Sequence, residues 1–343
     1  MSRPPARPGI AASGLPIGIG LVVWLLTLLF PSTPAGAVSP PHAQSATGPV
    51  RAGDFPDPSV IAVGGIYYAY STQVYMDNVP VTTSVDLVHW SNPADALPQL
   101  PSWAAWGRTW APSVAALPSG GYVMFYAAQD AASGRQCIGR AISPSPAGPF
   151  VDPSTAPFLC QEAMGGSIDP YVFSKDGRSY LLWKSDGEVV GGQGELWSQA
   201  LDVTDDAVQG APARLLGADQ LWEAGTVEGP AMTDNGSGVE LFFGGGHWWS
   251  ADYAIGAVAC ASPLGPCTDN AVRPLLGTGG ADTGPGGPSL FTGPDGGLRM
   301  AYSAWSSGIV GYPEGSRALY VTRVAFVDGV PTLPDDPGSP PPA

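Results

Sequence analysis

Five prolines, Pro58, Pro112, Pro170, Pro230 and Pro288, stand 54, 58, 60 and 58 residues apart. Each opens a short apolar run that leads through a Gly-rich turn into a second run heavy in aromatics, as in GDFPDPSVI followed by GGIYYAYST. Proline suits the first residue of a strand, because it has no N–H to give further along the ladder. Each unit therefore reads as a strand, a tight turn and a second strand. A period near 60 residues limits the chain to a repeat architecture. A second register supports it. IGRAISPSPAGPF begins at Ile138 and IGAVACASPLGPC at Ile255, 117 residues on, while Pro112 and Pro230 are 118 apart.

With 47 Gly, 38 Pro and only 13% charged residues, the chain has no long amphipathic helix pattern. The fold expected is all-β, a five-bladed β-propeller of four-stranded antiparallel sheets spanning residues 48–333. A β-sandwich would account for the strands but not for two registers of one period. Before the repeats, Arg3 and Arg7 precede an uncharged apolar run from Leu15 to Phe30, and Ala35-Gly36-Ala37 follows. That order is the one found in a secretory signal, so 1–37 is read as a cleaved signal peptide. An uncleaved anchor is the alternative; a spanning helix needs about 20 apolar residues. Residues 38–47 read as a linker and 334–343 as a Pro-rich tail. The chain is expected to be secreted, with no membrane association once the signal is removed. Cleavage would leave 12 basic against 29 acidic residues, a net charge of −17. Such a surface repels phosphate backbones, so no nucleic-acid partner is expected. A monomer is expected.

In a ring of such units, equivalent positions of the first strands face one axis. The residue before each repeat proline is Asp57, Ala111, Asp169, Gly229 or Gly287, with Glu228 one residue further back in the fourth unit. Three of five units thus aim a carboxylate at one pocket. A single Asp beside a strand-opening proline would be ordinary turn chemistry. Three in register crowd negative charge, which raises at least one pKa and serves acid–base chemistry better than packing.

FPDPSVI (55–61), TWAPSV (109–114), SIDPYVF (167–173) and VEGPAM (227–232), with DLVHW (86–90) and RALYVTRVAF (317–326), carry a resemblance. In order and spacing the set resembles glycoside hydrolase family 43, five-bladed propellers that include arabinofuranosidases, arabinanases and β-xylosidases. The resemblance covers essentially all of 48–333. It implies an inverting glycosidase acting on α-L-arabinofuranosyl or β-D-xylosyl linkages of plant cell-wall polysaccharides. Asp57 would be the base that activates water, Glu228 the acid that protonates the leaving oxygen, and Asp169 the carboxylate that tunes and orients that acid. Asp54 is the rival for the base, but it lacks the repeat position. The resemblance also marks Trp110 as a sugar-stacking residue and Arg317 as a contact to bound sugar, with packing and an ion pair as the bland alternatives. Trp248 and Trp249, next to His247, either extend the sugar platform or pack a blade face, and packing is favoured; His247 itself is counted among the substrate-binding candidates. His89 reads as structural.

One departure stands out. Where many members of the family have Gly-Pro-Gly-His at the fifth ring position, this chain has Gly284-Pro285-Gly286-Gly287. That His helps to hold a central ion or water cluster. No cofactor is therefore expected to be required, although oxygen ligands alone can still hold a Ca²⁺ ion. No metal-ligating residues are assigned. A catalytically silent sugar-binding propeller is the alternative function, and the loss of the His favours it slightly. The four cysteines allow three pairings. Repeat alignment sets Cys267 where the second unit has Phe150, which favours Cys260–Cys267 and leaves Cys137–Cys160. Disulfides fit an exported chain.

Overall fold

A computed structural model of the protein describes residues 48–203, 207–279 and 282–334. The expected signal peptide and linker, and all of the tail but Pro334, lie outside the described residues. The described chain is built from strands, with four short 3-10 turns as its helical elements. None of its helices is long and apolar enough to cross a membrane.

Five antiparallel sheets follow one another along the chain. The first contains β1 (Ser59–Val63), β2 (Ile66–Tyr70), β3 (Pro80–Ser84) and β4 (Ala94–Asp95). The second contains β5 (Ala104–Ala116), β6 (Tyr122–Asp130) and β7 (Gln136–Ser143). The third contains β8 (Ser167–Lys175), β9 (Arg178–Ser185), β10 (Glu195–Asp202) and β11 (Ala207–Gly217). The fourth contains β12 (Val227–Asp234), β13 (Val239–Gly245) and β14 (Ala254–Cys260), and the fifth β15 (Thr283–Thr292), β16 (Leu298–Trp305) and β17 (Arg317–Arg323). A small hairpin, β18 (Ala325–Val327) with β19 (Val330–Thr332), follows.

Four strands per sheet holds for the first and third sheets only. In the second, the place beside β7 is taken by single bridges, Ile138 to Leu159 and Ile142 to Val151. In the fourth, Ile255 to Leu276 and Cys260 to Cys267 do the same beside β14. The reason is chemical. Residues 144–157 carry five prolines and 263–274 carry three, and each removes a ladder donor. The fifth sheet is completed from the other end of the chain. Val50 N–H donates to Leu319 O at 2.9 Å, and Leu319 N–H donates to Arg51 O at 3.2 Å.

The second strand of each sheet is apolar on both faces, and its period-2 alternation explains the packing. On β6, Met124 and Tyr126 join a cluster with Tyr70 and Val81 of the first sheet, while Val123 and Phe125 join Leu181 and Trp183 of the third. On β13, Leu241 and Phe243 meet Leu182 and Leu196 of the third sheet, while Phe242 meets Met300 and Tyr302 of the fifth. Ala301 and Leu319 of the fifth meet Tyr67 and Ala69 of the first. Five cores thus link the sheets in a closed circuit. Side chains such as Phe242 and Phe243, fully buried, each contribute roughly 1.5–3 kcal/mol. Serines of the repeat motif stitch neighbours together. Ser113 Oγ accepts from Val172 N–H at 3.1 Å, and Ser289 Oγ accepts from Val60 N–H at 3.0 Å. Both expected disulfides are present, Cys137–Cys160 and Cys260–Cys267.

Candidate active site

All five ring residues have left-handed backbone: Asp57 (φ 51°), Ala111 (39°), Asp169 (54°), Gly229 (56°) and Gly287 (64°). In sheets two to five the innermost strand loses register with its neighbour at this point. Each strand therefore bulges and turns its ring residue toward a shared cavity of about 630 Å³, lined by all five ring residues and all five repeat prolines. Gly adopts this conformation freely and Asp tolerates it, but Ala111 has neither excuse and costs roughly 1–2 kcal/mol. Its N–H is met by Thr72 Oγ1 at 2.8 Å.

Asp57, Asp169 and Glu228 line this cavity, as do Trp110, Arg317 and His247. Asp57 lies a quarter exposed. Its Oδ1 accepts from Arg317 Nη1 at 3.0 Å and its Oδ2 from Thr72 Oγ1 at 2.7 Å. A carboxylate has about four acceptor positions, so Asp57 keeps lone pairs for water. Asp54 is placed differently. Its oxygens accept from Tyr312 Oη at 2.8 and 3.1 Å and from Arg317 N–H at 2.9 Å. It supports the arginine rather than occupying a ring position. Burial, opposed by these bonds, raises its pKa.

Glu228 is held from both sides. Tyr253 Oη donates to Oε1 at 2.8 Å, and Lys184 Nζ donates to Oε2 at 3.1 Å. Asp169 Oδ2 accepts the N–H of Gly229, the residue after Glu228, at 2.9 Å. Burial, then the charge of Glu228, pushes the Asp169 carboxyl well above the usual carboxylate range, against the pull of Lys184. Burial and the charges of Glu228 and Asp57 likewise raise Tyr253 well above an ordinary phenol.

Arg317 is buried. Its guanidinium lies 4.7 Å from the Trp248 ring centroid, and Trp248 in turn stacks near Trp305. Trp248 thus packs and orients the arginine. Burial alone would weaken the Arg317 charge, but Asp57 and Tyr312 more than offset it. Trp249 is exposed, and His247 stacks flat on it with ring centroids 4.7 Å apart. Lys184, Tyr253, Thr72 and Tyr312 were missed from sequence. Of these only Lys184 left a signal, a lone cation ending the apolar run YLLWK.

The fifth ring position, Gly287, carries no side chain. A Cβ on Gly287 would stand 3.1 Å from Asp57 Cα and 3.3 Å from its Oδ1, on left-handed backbone. The residues present do not fit the family's imidazole there.

A family model described as glycosyl hydrolases family 43 matches residues 46–331. The chain belongs to this family. The structure of a thermostable family-43 glycoside hydrolase matches with a TM-score of 0.74 at 26% identity, over 86% of this chain and 98% of that one. Among curated family relatives, an extracellular endo-α-(1→5)-L-arabinanase of Thermotoga petrophila is 36% identical over 109 residues, 27% of this chain and 22% of its own. A xylosidase/arabinosidase of Butyrivibrio fibrisolvens is 29% identical over 196 residues, 54% of this chain and 36% of its own. The aligned stretches span only those fractions of the two relatives.

Proposed function

We propose that this family 43 chain is a secreted, inverting glycoside hydrolase that cleaves α-L-arabinofuranosyl or β-D-xylosyl linkages in plant cell-wall polysaccharides. One observation carries the reading: Asp57 and Asp169, at left-handed ring positions, and Glu228, one residue before the left-handed Gly229, come from three sheets to one cavity. The closed circuit of five sheets is read as a five-bladed propeller, with this cavity on its axis. The two disulfides and the extracellular arabinanase relative support secretion.

In this mechanism Glu228 gives its proton to the glycosidic oxygen as the bond from the anomeric carbon breaks. Asp57 takes a proton from the water that attacks the opposite face of that carbon. Arg317 and Thr72 hold Asp57 in place for this. Asp169, bonded to the Gly229 amide, fixes the backbone that carries Glu228, and its carboxylate beside Glu228 tunes that acid. Trp110, together with the stacked His247–Trp249 pair, offers apolar ring surface for sugar faces.

The test is product analysis on debranched arabinan, arabinoxylan, and aryl α-L-arabinofuranoside and β-D-xyloside. Release of arabinose, xylose or their oligomers is expected. Binding without release on all four would favour a silent sugar-binding propeller instead.

Activity is expected not to depend on Ca²⁺, because the fifth ring position is Gly287. After dialysis against EDTA, added Ca²⁺ should leave kcat/KM unchanged. A large loss restored by Ca²⁺ would contradict this.

A further inference from the structure

Lys184 is the last residue but one of β9, with its side chain 4% exposed, and it serves two carboxylates at once. Its Nζ lies 3.1 Å from Glu228 Oε2 and 3.1 Å from Glu188 Oε1. Glu188 sits on the short turn Gly187–Val190 at the cavity wall and is about one-third exposed. Gly194 closes over this pair: a Cβ there would collide with Lys184 Cε and stand 2.9 Å from Glu188 Oε1. The lysine is therefore packed in place and shared.

An ammonium donates three hydrogen bonds and accepts none. Its contact with Oε2 can only favour the ionised form of Glu228, and Tyr253 Oη on Oε1 acts the same way when it donates. Yet the reaction needs Glu228 to carry a proton. Other charges bear on the balance. Asp169 from β8 and Asp57 from the start of the first sheet face the same space, and Asp57 is paired with Arg317. Asp186 lies beside the turn, with Arg135 acting on it from the connection between β6 and β7. Burial works against the Lys184 charge, but Glu228, Glu188, Asp169 and Asp186 more than offset that, so the lysine stays charged.

We propose that Lys184, divided between Glu228 and Glu188, is a positioning residue that sets the upper end of the pH range in which Glu228 can act as the acid. This rests on the hydrolase reading above. Lys184 orients Oε2 and supplies positive charge, and Glu188 draws part of that charge away.

The two residues then act with opposite sign. In Lys184→Met the alkaline limb of the kcat/KM–pH profile should move up by about one pH unit, since a close opposite charge typically shifts a carboxyl by 1–3 units. In Glu188→Gln the ammonium acts on Glu228 alone, and the limb should move down by a smaller amount. Lys184→Arg should keep the limb near that of the wild type. Alkaline limbs that stay put, or that move the same way in both variants, would overturn the proposal. A merely structural lysine would lower activity without such paired shifts. A second readout needs no turnover: carbon-13 NMR of Glu-labelled protein, with the Glu228 signal identified by its loss in Glu228→Gln. Its titration should shift in the same two directions. If the wild type hydrolyses none of the sugars, the hydrolase reading fails while this titration still decides the role of Lys184. If Lys184→Met does not fold, Glu188→Gln and Lys184→Arg carry the test.

Discussion

Glu228→Gln should lower kcat/KM on an unactivated oligosaccharide by about 10²–10⁴-fold, the usual contribution of a general acid. The amide keeps the shape of the side chain and can still meet Tyr253, but it has no acid proton to give. The sugar leaving group then departs as a poorly stabilised alkoxide. On an aryl glycoside with an acidic phenol the loss should shrink sharply, because that leaving group needs little protonation. A parallel loss on both substrates would argue against Glu228 as the acid. Thermal melting checks that the variant is folded, because its neutral amide would face Lys184, a buried cation deprived of one of its two carboxylates.

Asp57→Asn should cost a comparable factor of about 10²–10⁴, with the opposite leaving-group signature. Asn is chosen over Ala because it tolerates the left-handed backbone at position 57, where φ is 51°. It removes the base without adding the strain that Ala would bring. Water then attacks without a proton acceptor, whatever the leaving group, so an aryl substrate should not restore the rate. Arg317, 3.0 Å from Asp57 Oδ1, keeps an acceptor but loses the negative charge it is paired with, and some rise in KM is expected with the fall in kcat. Restoration by the aryl leaving group would mean that Asp57 and Glu228 have each other's roles. Retained activity in Asp57→Asn with a collapse in Asp54→Asn would return the base to Asp54.

Much of this site could be read from five prolines. Their spacing located the strand entries, and the residue before each one proved to be the left-handed ring residue. Asp, Asp, Gly and Gly are types that accept that backbone, which is why the pattern was visible. Ala111 is the exception, and nothing in its identity announces the conformation. The carboxylate trio followed from the same register, and repeat alignment also found the Cys260–Cys267 pair. What sequence could not show were contacts between sheets. Lys184 reaches Glu228 from the neighbouring sheet, 44 positions away, and Tyr253 reaches it from beyond the next turn. Neither distance is periodic. The uniform four-strand expectation failed for a local reason, since prolines between 144 and 157 and between 263 and 274 reduce an outer strand to bridges. Those prolines stand in the two stretches whose offset gave the second register, where their effect on an outer strand went unused. Asp54 shows the limit of motif reading: two aspartates three apart differ entirely in role because only Asp57 stands at the bulge.

The most direct test of the account is the configuration of the first product. Asp57 and Glu228 reach the cavity from the first and fourth sheets, and the mechanism places a water between Asp57 and the anomeric carbon. Proton NMR of an α-L-arabinofuranosyl or β-D-xylosyl oligosaccharide is recorded during the first minutes of hydrolysis, before mutarotation. The account predicts that the sugar appears first with inverted configuration, as β-L-arabinofuranose or α-D-xylose, and only then equilibrates. Initial appearance of the retained anomer would mean that Asp57 attacks the sugar directly, and would contradict the water-mediated mechanism.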